Sequence, residues 1–263
     1  MKINVAGVLI DSVTKAEAID RIDGFIKSGR SHYVVTPYSE LIVFADQDKN
    51  YQDVLNHADL SLPDGIGILW AAKYLSLPPT TYNLLTTLAS IIFFPSYIRT
   101  VIKEQISGSR FIFDIAKLAS DKNYSISLVG GADNVAQLSA NKLKQLYPVL
   151  NIKLALSSQD FNEQLVQQIA QYNSDILLIA YSPPKQETWI ANNLNNLNSR
   201  VVIGLGGTFD YLAGKRPSAP RFLAQIGLEW LWRLITQPWR IKRIWNAVPV
   251  FIWKTYKYKR LKI

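Results

Sequence analysis

The chain has 263 residues, of which 48% are hydrophobic, so it can bury a sizeable core and is not a disordered chain. It contains no cysteine, which excludes a disulfide framework and thiolate metal sites and agrees with a reducing compartment. The net charge of +9 is concentrated: residues 228–263 carry nine Lys or Arg against Glu229 alone, or +8, leaving +1 for residues 1–227.

The opening residues, from Met1 to Asp11, lack the apolar core of a signal peptide. No window reaches the roughly 18 uninterrupted apolar residues of a spanning helix. Ile3–Val5 and Val8–Ile10 predict a hairpin through Gly7, and Thr14–Ile26 has helical spacing in Ala18, Ile19, Ile22 and Ile26. His32–Thr36 reads as a strand stopped by Pro37, Glu40–Ala45 as the start of a helix, and Leu60–Leu62 as a strand. A helix is expected to begin near Gly67. The stretch Leu77–Gln105 carries the apolar run Leu84–Phe94, too short to span a bilayer; a buried helix is favoured over a membrane-surface or partner-binding insertion. Beyond it the pattern predicts strands at Ser125–Val129, Ile152–Leu156, Asp175–Ala180 and Val201–Leu205, and helices at Asn134–Tyr147, Phe161–Tyr172 and Lys185–Asn196. Strands alternating with helices predict parallel βαβ units.

In such a sheet the strand ends share one edge, where ligands bind. Four candidates fall there: Thr36, Pro63-Asp64-Gly65, Gly130-Gly131 and Gly206-Gly207. Asp64 is either the polar member of a turn or a catalytic carboxylate. Each Gly-Gly pair is either a tight turn or a close backbone approach to a phosphate at a helix N-terminus. In Ser182-Pro183-Pro184-Lys185-Gln186-Glu187, helix capping explains Pro184 and Glu187, whereas Lys185 and Gln186 suit a diphosphate or a sugar hydroxyl. Asp210 caps a short helix, pairs with Lys215 or Arg216, or faces a ligand. Asp46-Gln47-Asp48 has the spacing of a metal–nucleotide motif but follows a helical pattern and reads as a solvated helix end. No metal site is expected, and His32 and His57 read as structural.

The tail holds five of the seven tryptophans, with Ile241, Ile244, Trp245 and Val248 on one helical stripe beside Arg240, Lys242 and Arg243. Bulky aliphatics among cations suit an interfacial helix on anionic lipid better than base stacking, so a membrane surface is expected and nucleic acid is not. A packed helix with a solvated basic face also fits Trp230–Ile235.

From Thr36 to about Trp245 these motifs resemble the WecG/TagA/CpsF bacterial glycosyltransferases. The resemblance rests on Ala58-Asp59 with Pro63–Gly67, Gly130-Gly131, Tyr147-Pro148, Pro184–Glu187 with Trp189-Ile190, Gly206–Asp210 with Ala213-Gly214, Ala219-Pro220, Gly227–Trp230, Arg233-Leu234, Pro238, Arg240 and Arg243. It implies a Rossmann-like α/β fold. It also implies an inverting, metal-independent transfer, without cofactor, from a UDP-activated N-acetylmannosamine-type donor. The acceptor would be a polyprenyl-diphosphate-linked sugar, met by a peripheral protein at the cytoplasmic face of a bacterial membrane during cell-surface polysaccharide synthesis. Asp64 matches the family's proposed base, and Thr36 and Gln186 match its pocket. Arg233, Arg240 and Arg243 match arginines thought to meet the lipid diphosphate and the membrane. Together with the residue reading, the substrate-binding candidates are Thr36, Tyr38, Gly130, Gly131, Lys185, Gln186, Glu187, Gly207 and Asp210.

The expected organisation is a Rossmann-like parallel-sheet sandwich over residues 1–227, with a helical insertion at 78–106 and a basic, Trp-rich helical appendage at 228–263. The chain departs from the family pattern at Tyr38 (usually Asn), Gln105 (Arg), Arg110 (Asp), Ser218 (Arg) and Gln237 (Glu), in the approach Ala180–Pro183, and in the longer stretch Leu77–Gln105. Two alternatives follow: another UDP-hexose or uronic-acid donor, or a non-catalytic nucleotide-sugar-binding relative. A homo-oligomer is left open.

Overall fold

A computed structural model describes residues 1–220, 223 and 228–261. Gly227, the expected domain boundary, and Lys262 of the basic tail lie outside the described residues. The chain opens with an antiparallel hairpin, β1 (Lys2–Val5) and β2 (Val8–Asp11). Ala6 and Gly7 turn it with φ of 49° and 97°. Helix α1 (Lys15–Lys27) starts in a capping box between Thr14 and Glu17. Then come β3 (His32–Val35), α2 (Ser39–Gln47), α3 (Lys49–Asn56), β4 (Leu60–Ser61) and α4 (Ile66–Leu75). Helices α5 (Thr81–Phe93), α6 (Pro95–Ile98) and α7 (Gly108–Lys122) precede β5 (Ser125–Gly130), α8 (Val135–Leu146) and β6 (Asn151–Leu156). Helix α9 (Glu163–Ala170), β7 (Ile176–Ala180), α10 (Lys185–Asn193), β8 (Val201–Gly204) and α11 (Thr208–Leu212) complete the alternation. The tail forms α12 (Glu229–Thr236), α13 (Ile241–Trp245), a π-helical turn at Asn246–Val250, and α14 (Phe251–Leu261).

Six strands pair in the order β4-β3-β8-β7-β5-β6, every neighbour parallel. Alternate residues of each strand enter opposite cores, as the two-residue period requires. Val34, Leu178 and Ile203 join Ile22 of α1, Phe111 of α7 and Leu143 of α8. Tyr33, Leu177 and Val202 join residues of α2, α3, α9 and α10. The result is a helix–sheet–helix sandwich of the Rossmann-like kind. Among the described residues no helix is long and apolar enough to cross a membrane.

The tail returns to the body. Phe251 is fully buried, edge-on to Trp70 at 5.9 Å, a burial that stabilises by about 2 kcal/mol. Lys254 pairs with Asp46, and Lys259 donates to the Tyr74 carbonyl while lying 3.8 Å over the Tyr74 ring.

Three elements differ from the sequence expectation. Helix α7 occupies a stretch left unassigned, although Phe111, Ile112, Ile115, Leu118 and Ala119 bury one helical face. Helix α3 follows α2 directly because the Asp48 carboxylate accepts the Tyr51 N–H at 3.2 Å. Asp48 is therefore a cap, and with Asp46 paired to Lys254 the Asp-x-Asp spacing has a structural explanation. Helix α5 is half-exposed rather than buried. Its inward side carries Thr87 and Ser90, while Leu85, Ile92 and Phe93 face outward.

Gly130 ends β5 with φ of 118°, and a Cβ there would lie 2.4 Å from the Ala180 carbonyl oxygen. Gly130→Ala is expected to lower unfolding free energy in urea by about 1–3 kcal/mol or more.

Candidate active site

The carboxyl ends of β3, β4, β7 and β8 open on a cleft of about 570 Å³, within the range of small-molecule sites. Asp64 lines it. The Asp64 N–H donates to the Pro37 carbonyl at 3.0 Å and the Ile106 N–H to the Pro63 carbonyl at 2.8 Å, tying the β4 turn to the β3 end and to the approach to α7. Gly65 follows with φ of 89°, a conformation other residues rarely adopt. The Asp64 carboxylate accepts the Gly108 N–H at 3.2 Å, so it faces the N-terminus of a fifteen-residue helix.

Asp64 is a half-buried residue whose carboxyl is enclosed by protein. Loss of water raises its pKa from 3.8 to about 7, and repulsion from Glu229 adds to the rise. Arg233, the Gly108 N–H and the Ser107 hydroxyl act in the opposite direction. A carboxyl poised near neutrality can take or hold a proton at working pH.

Three tail arginines line the cleft. Arg233 pairs with Glu229, one turn earlier on α12. Arg243 makes a two-nitrogen pair with the buried Glu40 at 2.9–3.2 Å and donates to the Tyr38 hydroxyl at 2.8 Å. Burial works against the Arg243 charge, but Tyr38 and Glu40 outweigh it and raise the pKa. Arg240 differs. It donates to the Tyr211 hydroxyl at 3.2 Å and the Gln237 amide oxygen at 3.1 Å, and has no carboxylate partner among the described residues. Burial and the neighbouring guanidinium of Arg243 lower its pKa. Burial raises the Tyr211 phenol, but Arg233 and Arg240 outweigh it and the net shift is downward. This end of the cleft is therefore suited to an anion.

Thr36, Tyr38, Gln186, Glu187, Gly207 and Asp210 also line the cleft. Thr36 donates to the Gly204 carbonyl at 3.1 Å, joining the β3 and β8 ends. Gln186 is 2% exposed, and its side-chain oxygen accepts the N–H groups of Tyr181 at 3.0 Å and Gly206 at 2.9 Å. It thus clamps the ends of β7 and β8. Glu187, 3% exposed, accepts from Tyr51 at 3.0 Å and from Gln186 at 2.7 Å, and burial raises its pKa to about 7. Asp210 pairs with Arg216 at 3.1 Å.

Gly130, Gly131 and Lys185 do not line the cleft. The glycines serve the β5–β7 join, where the Gly131 N–H donates to the Ala180 carbonyl at 3.0 Å, and Lys185 is exposed on α10. Gln105 lines the cleft, whereas Arg110 lies in an adjoining cavity of about 290 Å³. His32 stacks on Phe25 at 4.2 Å and lies 3.2 Å from Asp59, while His57 hydrogen-bonds the Asp53 carbonyl at 2.7 Å. No group of three or more His, Asp or Glu among the described residues could hold a metal ion. Sequence reasoning missed Glu40, Ser107, Gly108 and Glu229.

The model of the glycosyl transferase WecG/TagA/CpsF family matches residues 3–262. The chain belongs to this family. It is a glycosyltransferase, with the cleft at the edge where parallel sheets place their ligands. Among its relatives are two proteins of Staphylococcus aureus, strains MRSA252 and NCTC 8325 / PS 47. Each is named N-acetylglucosaminyldiphosphoundecaprenol N-acetyl-beta-D-mannosaminyltransferase. Each is 25% identical over 262 residues, which cover 98% of this chain and 94% of the relative.

The glycosyltransferase should lose stability as pH rises through the Glu187 titration. A carboxyl with a raised folded pKa keeps its proton while the unfolded chain has lost it, so stability falls between about pH 4.5 and 7. The Glu187 contribution is on the order of 3 kcal/mol. Urea melts of Glu187→Gln should show a correspondingly shallower decline over that window.

Proposed function

We propose that this glycosyltransferase moves an N-acetylmannosamine-type sugar from a UDP-sugar to a polyprenyl-diphosphate-linked sugar, with inversion, during cell-surface polysaccharide synthesis. The observation that carries the reading is Asp64, a desolvated carboxyl beside cationic side chains. Inversion in one displacement requires one base. Asp64 takes the proton from the acceptor hydroxyl, whose oxygen forms a bond to the anomeric carbon. The bond from that carbon to the UDP oxygen breaks on the opposite side, and UDP leaves with the electron pair.

The acceptor diphosphate is assigned to the arginine end, with Arg240 as the cation best able to receive it, because Arg233 and Arg243 already hold carboxylates. The donor is assigned to the side lined by Thr36, Tyr38, Gly207 and Asp210. Gln186 and Glu187 shape that side, and Gly130, Gly131 and Lys185 take no part in it. In this reading residues 1–227 carry donor and base, and residues 228–263 bring the acceptor. The relatives' names support the acceptor and the sugar.

The protein would work peripherally on the cytoplasmic face of an anionic membrane, touching it through the outward tryptophans of the tail. Trp245 and Trp253 are each 62% exposed. Replacing both with Ser should reduce co-sedimentation with anionic vesicles and leave the melting temperature unchanged. Unaltered sedimentation would exclude them as the contact.

Asp64→Asn should lower kcat by about 10²–10⁴-fold while UDP still raises the melting temperature. The wild-type kcat/KM should rise with pH and level off above about 7, because the base acts unprotonated. Turnover unchanged in Asp64→Asn would remove Asp64 as base.

A further inference from the structure

The cleft has two chemical halves. Asp64, Arg233 and Arg240 occupy one. The other is walled by Leu88, Ile91 and Ile92 of α5 on one side and by Ile244, Val248 and Ile252 of the tail on the other. Trp70 and Phe251 form its floor. Helix α5 is set so that this wall persists. Thr87 takes the inward position and accepts the Trp70 indole N–H at 3.1 Å, while Ile92 is 51% and Phe93 71% exposed. The apolar wall therefore runs from the inner cleft out to the surface.

A trough that is cationic at one end and apolar along the other matches an amphiphile with an anionic head and a hydrocarbon chain. We infer that the apolar half holds the first isoprene units of the polyprenyl acceptor, with the diphosphate at Arg240. This inference rests on the acceptor class proposed above. A bilayer surface is the competing occupant. Leu88, Ile91, Ile244 and Val248 are only partly exposed and lie within the cleft, where a single chain reaches and a bilayer face does not. Each buried methylene contributes about 0.8 kcal/mol, so even two isoprene units would add measurably to the affinity of a diphosphate.

The test uses the whole chain, with farnesyl diphosphate and inorganic diphosphate as probes and intrinsic tryptophan fluorescence as the readout. Farnesyl diphosphate should bind at least about tenfold more tightly. The double variant Leu88→Asn/Val248→Asn should abolish that preference without changing affinity for inorganic diphosphate. Should that variant fail to fold, Ile92→Asn on the exposed rim is expected to weaken the preference at an unchanged melting temperature. Equal affinities in the wild type, or a preference that survives the substitutions, would overturn the inference. So would loss of vesicle binding with the preference intact, which makes the wall a bilayer contact. The measurement needs no sugar transfer, so a lack of turnover with polyprenyl-diphosphate sugars counts against the proposed reaction and leaves this result readable.

Discussion

A carboxylate removed from water must be compensated or must take a proton, and Asp64 sits between those outcomes. Its compensation comes from three distant parts of the chain. The β4 turn presents it, the N-terminus of α7 supplies an N–H and the positive end of a helix, and α12 brings both Glu229 and Arg233. The opposed pair on α12 matters because neither charge acts alone. Glu229 raises the Asp64 pKa and Arg233 lowers it, and the two are bound to each other. The tail is thus part of the electrostatic environment of Asp64. Its docking through Phe251, Lys254 and Lys259 holds the following helix against the body.

The same docking changes what the tail's charge does. The excess of Lys and Arg invited a reading in which cations face a polyanionic surface. Several of them face inward instead: Arg233 to Glu229, Arg243 to Glu40, Lys254 to Asp46 and Lys259 to the Tyr74 carbonyl. The outward groups include Trp239, Ile241, Trp245 and Trp253. The expected stripe of Ile241, Ile244, Trp245 and Val248 is divided accordingly, with Ile244 and Val248 turned into the cleft. Gln237 leaves Arg240 bonded to a neutral amide, so among the three tail arginines of the cleft Arg240 is the one without a carboxylate partner among the described residues.

The sheet was legible because parallel strands buried on both faces are short apolar runs, and β7 and β8 are of that kind. Asp64 and Thr36 were legible as strand-end residues for the same reason. Helix α7 was hidden by its own start, since Ser107-Gly108-Ser109 reads as a turn and the apolar pattern begins only at Phe111. The inward Thr87 of α5 could not be read because its partner, the Trp70 indole, comes from another helix. Glu40 and Glu229 were invisible as site members because each looks like an ordinary first-turn helix acid: the arginine of Glu40 arrives from the distant tail, and Glu229 meets Asp64 only once α12 packs over the cleft. The Gly-Gly pairs show the limit of motif reading. Gly206-Gly207 borders the cleft, and Gly130-Gly131 makes room for the Ala180 carbonyl.

Gln186 and Glu187 illustrate how a motif at a strand end can act on a ligand without offering it a free group. Gln186 spends its oxygen on two backbone N–H groups from neighbouring strand ends, and its nitrogen binds Glu187, which in turn holds Tyr51 of α3. That chain of bonds fixes the separation of β7 from β8 at the cleft floor and ties it to the helices behind the sheet. A shift of either strand end would strand buried polar atoms, at a cost of about 1–3 kcal/mol each. Gly206, which the clamp holds, borders the cleft only a few residues from Thr36's partner Gly204. The motif therefore governs site geometry through rigidity, and substitutions there would act on positioning even where no ligand atom is touched.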